Sequence, residues 1–230
     1  MGIYDLKAIL AKKAIECLPR EGVLGLGTGT TTEAFIEALG AHLRTTEQSY
    51  QVTASSYASE QLAIRLGLDV LKKDIPNQLA MTIDGADCIS EAEGVLLKGM
   101  GGALLREKIL KQAAASYLVL VTEEKWNLSF PISISLEILP FGFQFVEHNT
   151  ASIGKCNLRK NEAGSPITSD NGNWLADLFL QEKPNWKTLH HKLKLIPGIL
   201  ETGIFLLNPS QPTHVLTIDS KCKINKKTFH

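Results

Sequence analysis

The chain has 230 residues, 44% hydrophobic and 21% charged, and its 24 basic and 24 acidic side chains leave a formal net charge of zero. That length and balance describe an ordinary soluble globular protein, able to bury roughly 70–75% of its unfolded surface without covalent staples. They exclude the basic excess of a nucleic-acid or anionic-membrane binder, and no apolar run approaches the ~18 residues of a membrane span.

The opening MGIYDLKAILAKKAIECL lacks the apolar core of a signal peptide. Its Leu6, Leu10, Ala14 and Ile15 recur near a helical period and predict a helix over Asp5–Cys17. EGVLGLGTGTTTEAFIEALGAHL then reads as a strand, a glycine-rich turn, and a helix that starts near the threonines and stops at Gly40. QVTASS is a short strand, Ser59–Leu66 a helix closed by Gly67, and LDVL another strand. LAMTID, VLLK and YLVLVT are buried strands, with a helix over Ala103–Ala115. Strands alternating with helices predict a mostly parallel sheet covered on both faces, with ligands bound beyond the strands' carboxyl ends.

From Phe130 the texture changes. ISISLEIL alternates as an antiparallel strand with one wet face would. Asn171-Gly172 lies between strand-like flanks and signals a hairpin. Lys187–Leu195 reads as a short helix before Pro197-Gly198. The expected division is a main domain of residues 1–129 plus 205–230 and a smaller α+β domain of 130–204, with GIFLL or HVLTI returning to the main sheet. The basic run KCKINKK near the C-terminus reads as a solvated or frayed tail. Cys17, Cys88, Cys156 and Cys222 lie far apart without ligand spacing, so neither a zinc site nor a disulfide framework is expected. A cytoplasmic protein is the expectation.

Three stretches carry possible chemistry. In GLGTGTTTEAF, a glycine-rich turn enters a helix, and Thr28, Gly29, Thr30 and Thr31 offer backbone N–H groups, hydroxyls and the positive helix end to an anion. A dinucleotide fingerprint would want glycine at Thr30 and an acid after the next strand; a P-loop would want a lysine. A small phosphate fits better. In LAMTIDGADCIS, Asp84, Gly85, Ala86 and Asp87 follow a buried strand at its expected ligand end, although Asp-Gly is also ordinary turn chemistry.

In LLKGMGGALLREKIL, Lys98 leads into Gly99, Met100, Gly101 and Gly102, and the following helix carries Glu107. Ala103, Leu104, Leu110 and Ala114 flank Glu107 along its helical row, with Lys111 as the exception at i+4. Glu107 is then either a surface acid paired with Lys111 or a desolvated base with a raised pKa. A phosphate cradle, two aspartates, a lysine and a glutamate suit moving a proton beside a carbonyl on a sugar phosphate.

At these residues the chain resembles the type A ribose-5-phosphate isomerases. GLGTGTTT, the ASS of the second strand, DGAD, KGMGGALLREK, FPISISLEILP, SDNGN and IPGILETGIF fall in that family's order and approximate spacing. The resemblance implies an α/β fold with a Rossmann-like, mostly parallel sheet domain and a smaller ferredoxin-like α+β domain. It also implies a homodimer without metal or organic cofactor, interconverting ribose 5-phosphate and ribulose 5-phosphate. By the same resemblance Glu107 is the proton acceptor, with Asp84, Asp87 and Lys98 catalytic. Thr28, Gly29, Thr30, Thr31, Gly85, Ala86, Gly99, Met100, Gly101 and Lys125 bind substrate, and Lys7 adds charge near the phosphate. The chain departs from the family's usual pattern at Cys88, where an acid is common, at Met100, where glycine is, and at Thr30, where serine is. A side chain at position 100 would cost about 1–2 kcal/mol if the backbone there needed positive φ. Two other classes fit parts of the pattern: a non-catalytic sugar-phosphate sensor and a nucleotide-dependent dehydrogenase.

Overall fold

The computed structural model describes residues 2–71, 75–126 and 132–229. In chain order the elements are α1 (Ile3–Ile15), β1 (Val23–Leu26), α2 (Thr30–Leu43), β2 (Gln51–Ala54), α3 (Tyr57–Arg65), β3 (Asp69–Val70) and β4 (Met81–Gly85). There follow β5 (Cys88–Ser90), β6 (Val95–Leu97), α4 (Leu104–Ala113), β7 (Tyr117–Thr122) and a single 3₁₀ turn, Glu123–Lys125. The remainder is β8 (Ser133–Ile138), α5 (Phe143–Thr150), β9 (Gly154–Leu158), β10 (Trp174–Leu180), α6 (Trp186–Lys194), β11 (Ile199–Thr202), β12 (Ile204–Leu206), β13 (Thr213–Ile218) and β14 (Ile224–Phe229). Two compact units divide the chain. The first takes Met1–Ala86, Arg106–Trp126 and Leu207–His230; the second takes Asp87–Leu105 and Asn127–Leu206.

The first unit is built on a seven-stranded sheet of order β14-β13-β7-β4-β1-β2-β3. Every neighbouring pair is parallel except β13 with β14. Leu24, Leu26, Ile83, Leu118 and Leu120 of the sheet pack with Leu10 and Ala14 of α1 and with Phe35, Ile36 and Leu39 of α2. Alternating strands and helices produce this arrangement because each parallel crossover needs a helix to return the chain. Helix α3 begins where the Ser56 hydroxyl accepts the Ser59 N–H at 3.2 Å, satisfying one orphan donor of its first turn.

Two details differ from the sequence expectation here. Helix α2 runs through Gly40 to Leu43 instead of stopping, and a Cβ on Gly40 would lie 3.0 Å from the Leu66 Cβ. That glycine permits a close helix approach and does not end the helix. The basic C-terminal run is no frayed tail either: β14 pairs antiparallel with β13 from Phe229 to Ile224. Its lysines sit on an edge strand, where charge discourages pairing with another chain.

The second unit has a four-stranded antiparallel sheet of order β11-β8-β10-β9 and a three-stranded one of order β12-β6-β5. Leu136, Ile138, Ala176 and Leu178 pack with Val146 of α5 and with Trp186, Leu189 and Leu193 of α6. The hairpin at Asn171-Gly172 forms, with Gly172 at φ 78° and the Ser169 N–H donating to the Asn173 carbonyl at 2.8 Å. The strand VLL lies outside the seven-stranded sheet, because β6 pairs antiparallel with β5 and β12. Of the two candidate returns, GIFLL supplies β12, and HVLTI alone joins the seven-stranded sheet, through β7. Residues 87–105 thus group with the second unit, whereas the sequence division assigns them to the first; the expected boundary at 129/130 falls outside the described residues.

Strand β8 has no wet face. Its alternate residues Ser135 and Glu137 are buried along with their apolar neighbours, Glu137 completely. Glu137 Oε1 accepts from Ser169 Oγ at 2.8 Å, Asn171 Nδ2 at 2.9 Å and Asn173 Nδ2 at 2.8 Å. The hairpin supplies the donors to this carboxylate oxygen, and Arg159 Nη2 donates to the Ser135 hydroxyl.

Candidate active site

In the first unit the carboxyl ends of β1 and β4 lie side by side, with Leu26 paired to Ile83. Gly25 and Gly27 earn their place here: a Cβ on Gly25 would collide with the Thr82 hydroxyl and one on Gly27 with the Asp84 carboxylate. Their small size lets Asp84 pass across the end of β1, fully buried. Asp84 Oδ1 accepts the Gly85 N–H at 2.8 Å and, at longer range, the Thr28 N–H at 3.4 Å and the Thr32 hydroxyl at 3.5 Å. Its Oδ2 accepts the Tyr117 hydroxyl at 3.3 Å.

Gly29 precedes α2 at φ 101°, a conformation that residues with a Cβ rarely adopt. It turns the chain so that the first α2 residues present their N–H groups at the positive helix end. Thr28 Oγ1 is hydrogen-bonded to Ser55 Oγ at 2.7 Å. Lys7 Nζ, reaching from α1, donates to Thr30 Oγ1 at 2.6 Å. Gly85 lies against Thr31: a Cβ on the glycine would stand 3.8 Å from the threonine's.

Lys125 ends the 3₁₀ turn that follows β7. Beside it, partial burial pushes the Glu124 carboxyl up, but the Thr122 hydroxyl, its own backbone N–H and the charges of Lys125 and Lys7 outweigh this and leave it below the usual range. Lys7 thus stands at the helix start on Thr30, and both it and Lys125 act on Glu124.

Glu107 stands in the first turn of α4 and is 3% exposed. The surface-acid alternative is thereby overturned, and Lys111, 5% exposed, is no surface partner; its Nζ donates to Gln211 Oε1 at 3.2 Å. Helix α4 is fixed to β4 by the Thr82 hydroxyl, which donates to the Leu110 carbonyl at 2.9 Å. Glu107 and Asp84 converge on one group. Burial first, then the charges of Asp84 and Glu107, raise the Tyr117 phenol well above its usual range. It stays neutral and donates to Asp84.

The second unit holds the remaining candidates. The Asp87 N–H donates to the Leu97 carbonyl at 2.9 Å, and Asp87 Oδ2 accepts the Met100 N–H at 3.0 Å. Lys98 is 5% exposed, its backbone N–H donates to the Gly203 carbonyl at 2.9 Å, and its Nζ lies 5.7 Å from the centre of the Phe205 ring. Positive φ falls on Gly99 (109°) and Gly102 (78°), not on Met100. The substitution at position 100 therefore carries no backbone strain, and its side chain is 69% exposed. Gly101 is exposed beside it. Cys88 opens β5 and packs against the second unit's apolar core.

Tyr117 and Glu124 are missing from the sequence candidates, and Thr32 and Ser55 enter them only within the quoted motifs GLGTGTTT and ASS. Tyr117 reads as one more apolar strand residue; its pairing opposite Thr82, two residues before Asp84 on the same face, exists only once the strands are ordered. Among the described residues no helix is long and apolar enough to cross a membrane.

The fold is a mixed α/β one whose parallel sheet brings the buried Asp84 and a threonine-rich helix start together at its carboxyl edge, the edge where such sheets bind small ligands. The sequence profile of Ribose 5-phosphate isomerase A (phosphoriboisomerase A) matches residues 51–216. The protein named Ribose-5-phosphate isomerase A from Listeria innocua is 37% identical over 211 residues, covering 89% of this chain and 91% of that one. The solved structure of ribose 5-phosphate isomerase A from Methanocaldococcus jannaschii is 30% identical with a TM-score of 0.88, covering 98% of this chain and all of the other. A D-ribose-5-phosphate isomerase solved in complex with phospho-erythronic acid is 29% identical with a TM-score of 0.90, covering 99% of each chain. The chain belongs to the ribose 5-phosphate isomerase A family.

Proposed function

We propose that the protein interconverts D-ribose 5-phosphate and D-ribulose 5-phosphate through a cis-enediolate. The observation that carries this reading is the burial of Glu107 and Asp84 around the neutral Tyr117 phenol. A carboxylate held out of water beside a hydrogen-bonded acid is suited to moving a proton between adjacent carbons. Family membership supplies the substrate, and the relative bound to phospho-erythronic acid is in keeping with a phosphorylated ligand.

In this mechanism the phosphate rests on the α2 N-terminus, held by the N–H groups and hydroxyls of Thr28 to Thr31, with Lys7 and Lys125 adding charge. Asp84 or Asp87 takes the anomeric hydroxyl proton and relays it to the ring oxygen as the bond from C1 to that oxygen breaks. Glu107 removes the C2 proton and returns it at C1, and the O2 hydroxyl proton passes to O1 across the cis-enediolate. Lys98 and the N–H groups of Gly99 and Gly101 stabilise the enediolate oxygen, where one well-placed donor is worth about 2.7–4 kcal/mol. Gly85 and Ala86 leave the substrate room beside the aspartates. Remote phosphate binding supplies the ordering energy for the reacting carbons. The reading includes a homodimer acting in the cytoplasm.

Purified protein assayed with ribose 5-phosphate, by NMR of both sugars, tests it. Glu107→Gln is expected to keep the fold and lower kcat by ~10²–10⁴-fold. Near-normal turnover in that variant would remove Glu107 from the mechanism.

A further inference from the structure

Arg159, immediately after β9, is absent from the candidates above. It forms a two-pronged ion pair with Asp177 of β10, Nε to Oδ2 at 2.8 Å and Nη2 to Oδ1 at 2.6 Å. Nη2 also donates to Ser135 Oγ at 2.6 Å. Nη1 donates to the Gly99 carbonyl at 2.8 Å and the Met100 carbonyl at 3.3 Å. The five N–H donors of a guanidinium thus all have acceptors, and only two of them go to Asp177. An arginine kept only to pair with an acid has no use for two carbonyls of the lysine–glycine loop.

Those two bonds, together with the Gly102 N–H that also reaches the Gly99 carbonyl at 3.1 Å, fix the direction of the loop's N–H groups. In a planar trans peptide the C=O and N–H point opposite ways. Drawing the Gly99 carbonyl toward Arg159 turns the Met100 N–H away from it, and that N–H meets Asp87 Oδ2 at 3.0 Å. Drawing in the Met100 carbonyl turns the Gly101 N–H away in the same manner. The conformation leaves no slack: a Cβ on Gly99 would stand 2.6 Å from the Ser135 Cβ, the residue that also accepts from Arg159.

We propose that Arg159, braced by Asp177 and Ser135, is a positioning residue for the isomerase reaction, holding Lys98 to Gly101 in the conformation that presents the Gly101 N–H to the substrate oxyanion. The inference rests on the functional reading given above and adds to it a residue that does not touch substrate. Lysine is no substitute, because a rotating ammonium cannot serve a carboxylate, a hydroxyl and two carbonyls in fixed directions.

The test measures kcat and KM for ribose 5-phosphate in wild type, Arg159→Lys and Arg159→Ala, with thermal unfolding of each. The expectation is a fall in kcat on the order of 10- to 100-fold with a smaller change in KM, as misplacing a positioned group costs. The loss should persist in Arg159→Lys well below its unfolding temperature, and ethylguanidinium added to Arg159→Ala should restore part of kcat. If Arg159→Ala does not fold, Arg159→Lys, which keeps a cation for Asp177, carries the same test. Folded variants with wild-type kcat, or a lowered unfolding temperature as the sole change, overturn the inference and leave the functional reading standing. A wild-type chain that does not convert the sugar overturns that reading, and this inference with it.

Discussion

Glu107 and Glu137 are both glutamates at 3% exposure or less, and their surroundings set them apart. Glu107 shares its environment with Asp84 and a phenol that stays protonated, a setting in which a proton can be exchanged. Glu137 is held at one oxygen by Ser169, Asn171 and Asn173, and its Oε2 is buried without a hydrogen-bond partner among the described residues. Its work is to tie the hairpin to β8. Glu137→Ala should leave those donors without their acceptor and destabilise the protein by about 2–3 kcal/mol, read from denaturant unfolding. An unchanged midpoint would mean that the hairpin does not depend on this carboxylate.

At the scale of elements, the site depends on where helices begin and where strands can cross. Helix α2 starts at Gly29 with no side-chain cap, so its first-turn N–H groups stay available to an anion. Helix α3 starts at Ser56 with a side-chain cap, and its end is structural. Ser56→Ala is expected to lose about 1 kcal/mol of stability, measured by thermal or denaturant unfolding. The sequence does not separate these two starts: hydroxyls cluster at both, and the expected beginning of the second helix, Ser59, falls inside α3. It does not reveal that Gly25 and Gly27 make room for Thr82 and Asp84, because that need arises only when β1 and β4 are neighbours. A glycine in sequence reads as a turn; in the sheet it is a gap cut for a partner strand.

At the scale of the whole molecule, a net charge of zero at pH 7 means that two copies approach without net repulsion. The proposed homodimer should appear in light scattering as twice the 25.2 kDa of one chain, largely insensitive to salt; a monomer at all concentrations would refute it. What the sequence by itself determined was the alternation of strand and helix, the site-bearing motifs and the family, because hydrophobic period, glycine position and acid placement are local and survive in one dimension. Tertiary structure alone decided that VLL leaves the main sheet, that the lysine-rich end becomes an edge strand, and that Glu107 faces away from water. It also brought Tyr117 to Asp84 and Arg159 to the lysine–glycine loop. Those outcomes depend on which strands pair and which side chains share a burial site, and residues 33 or 60 positions apart carry no local mark of each other.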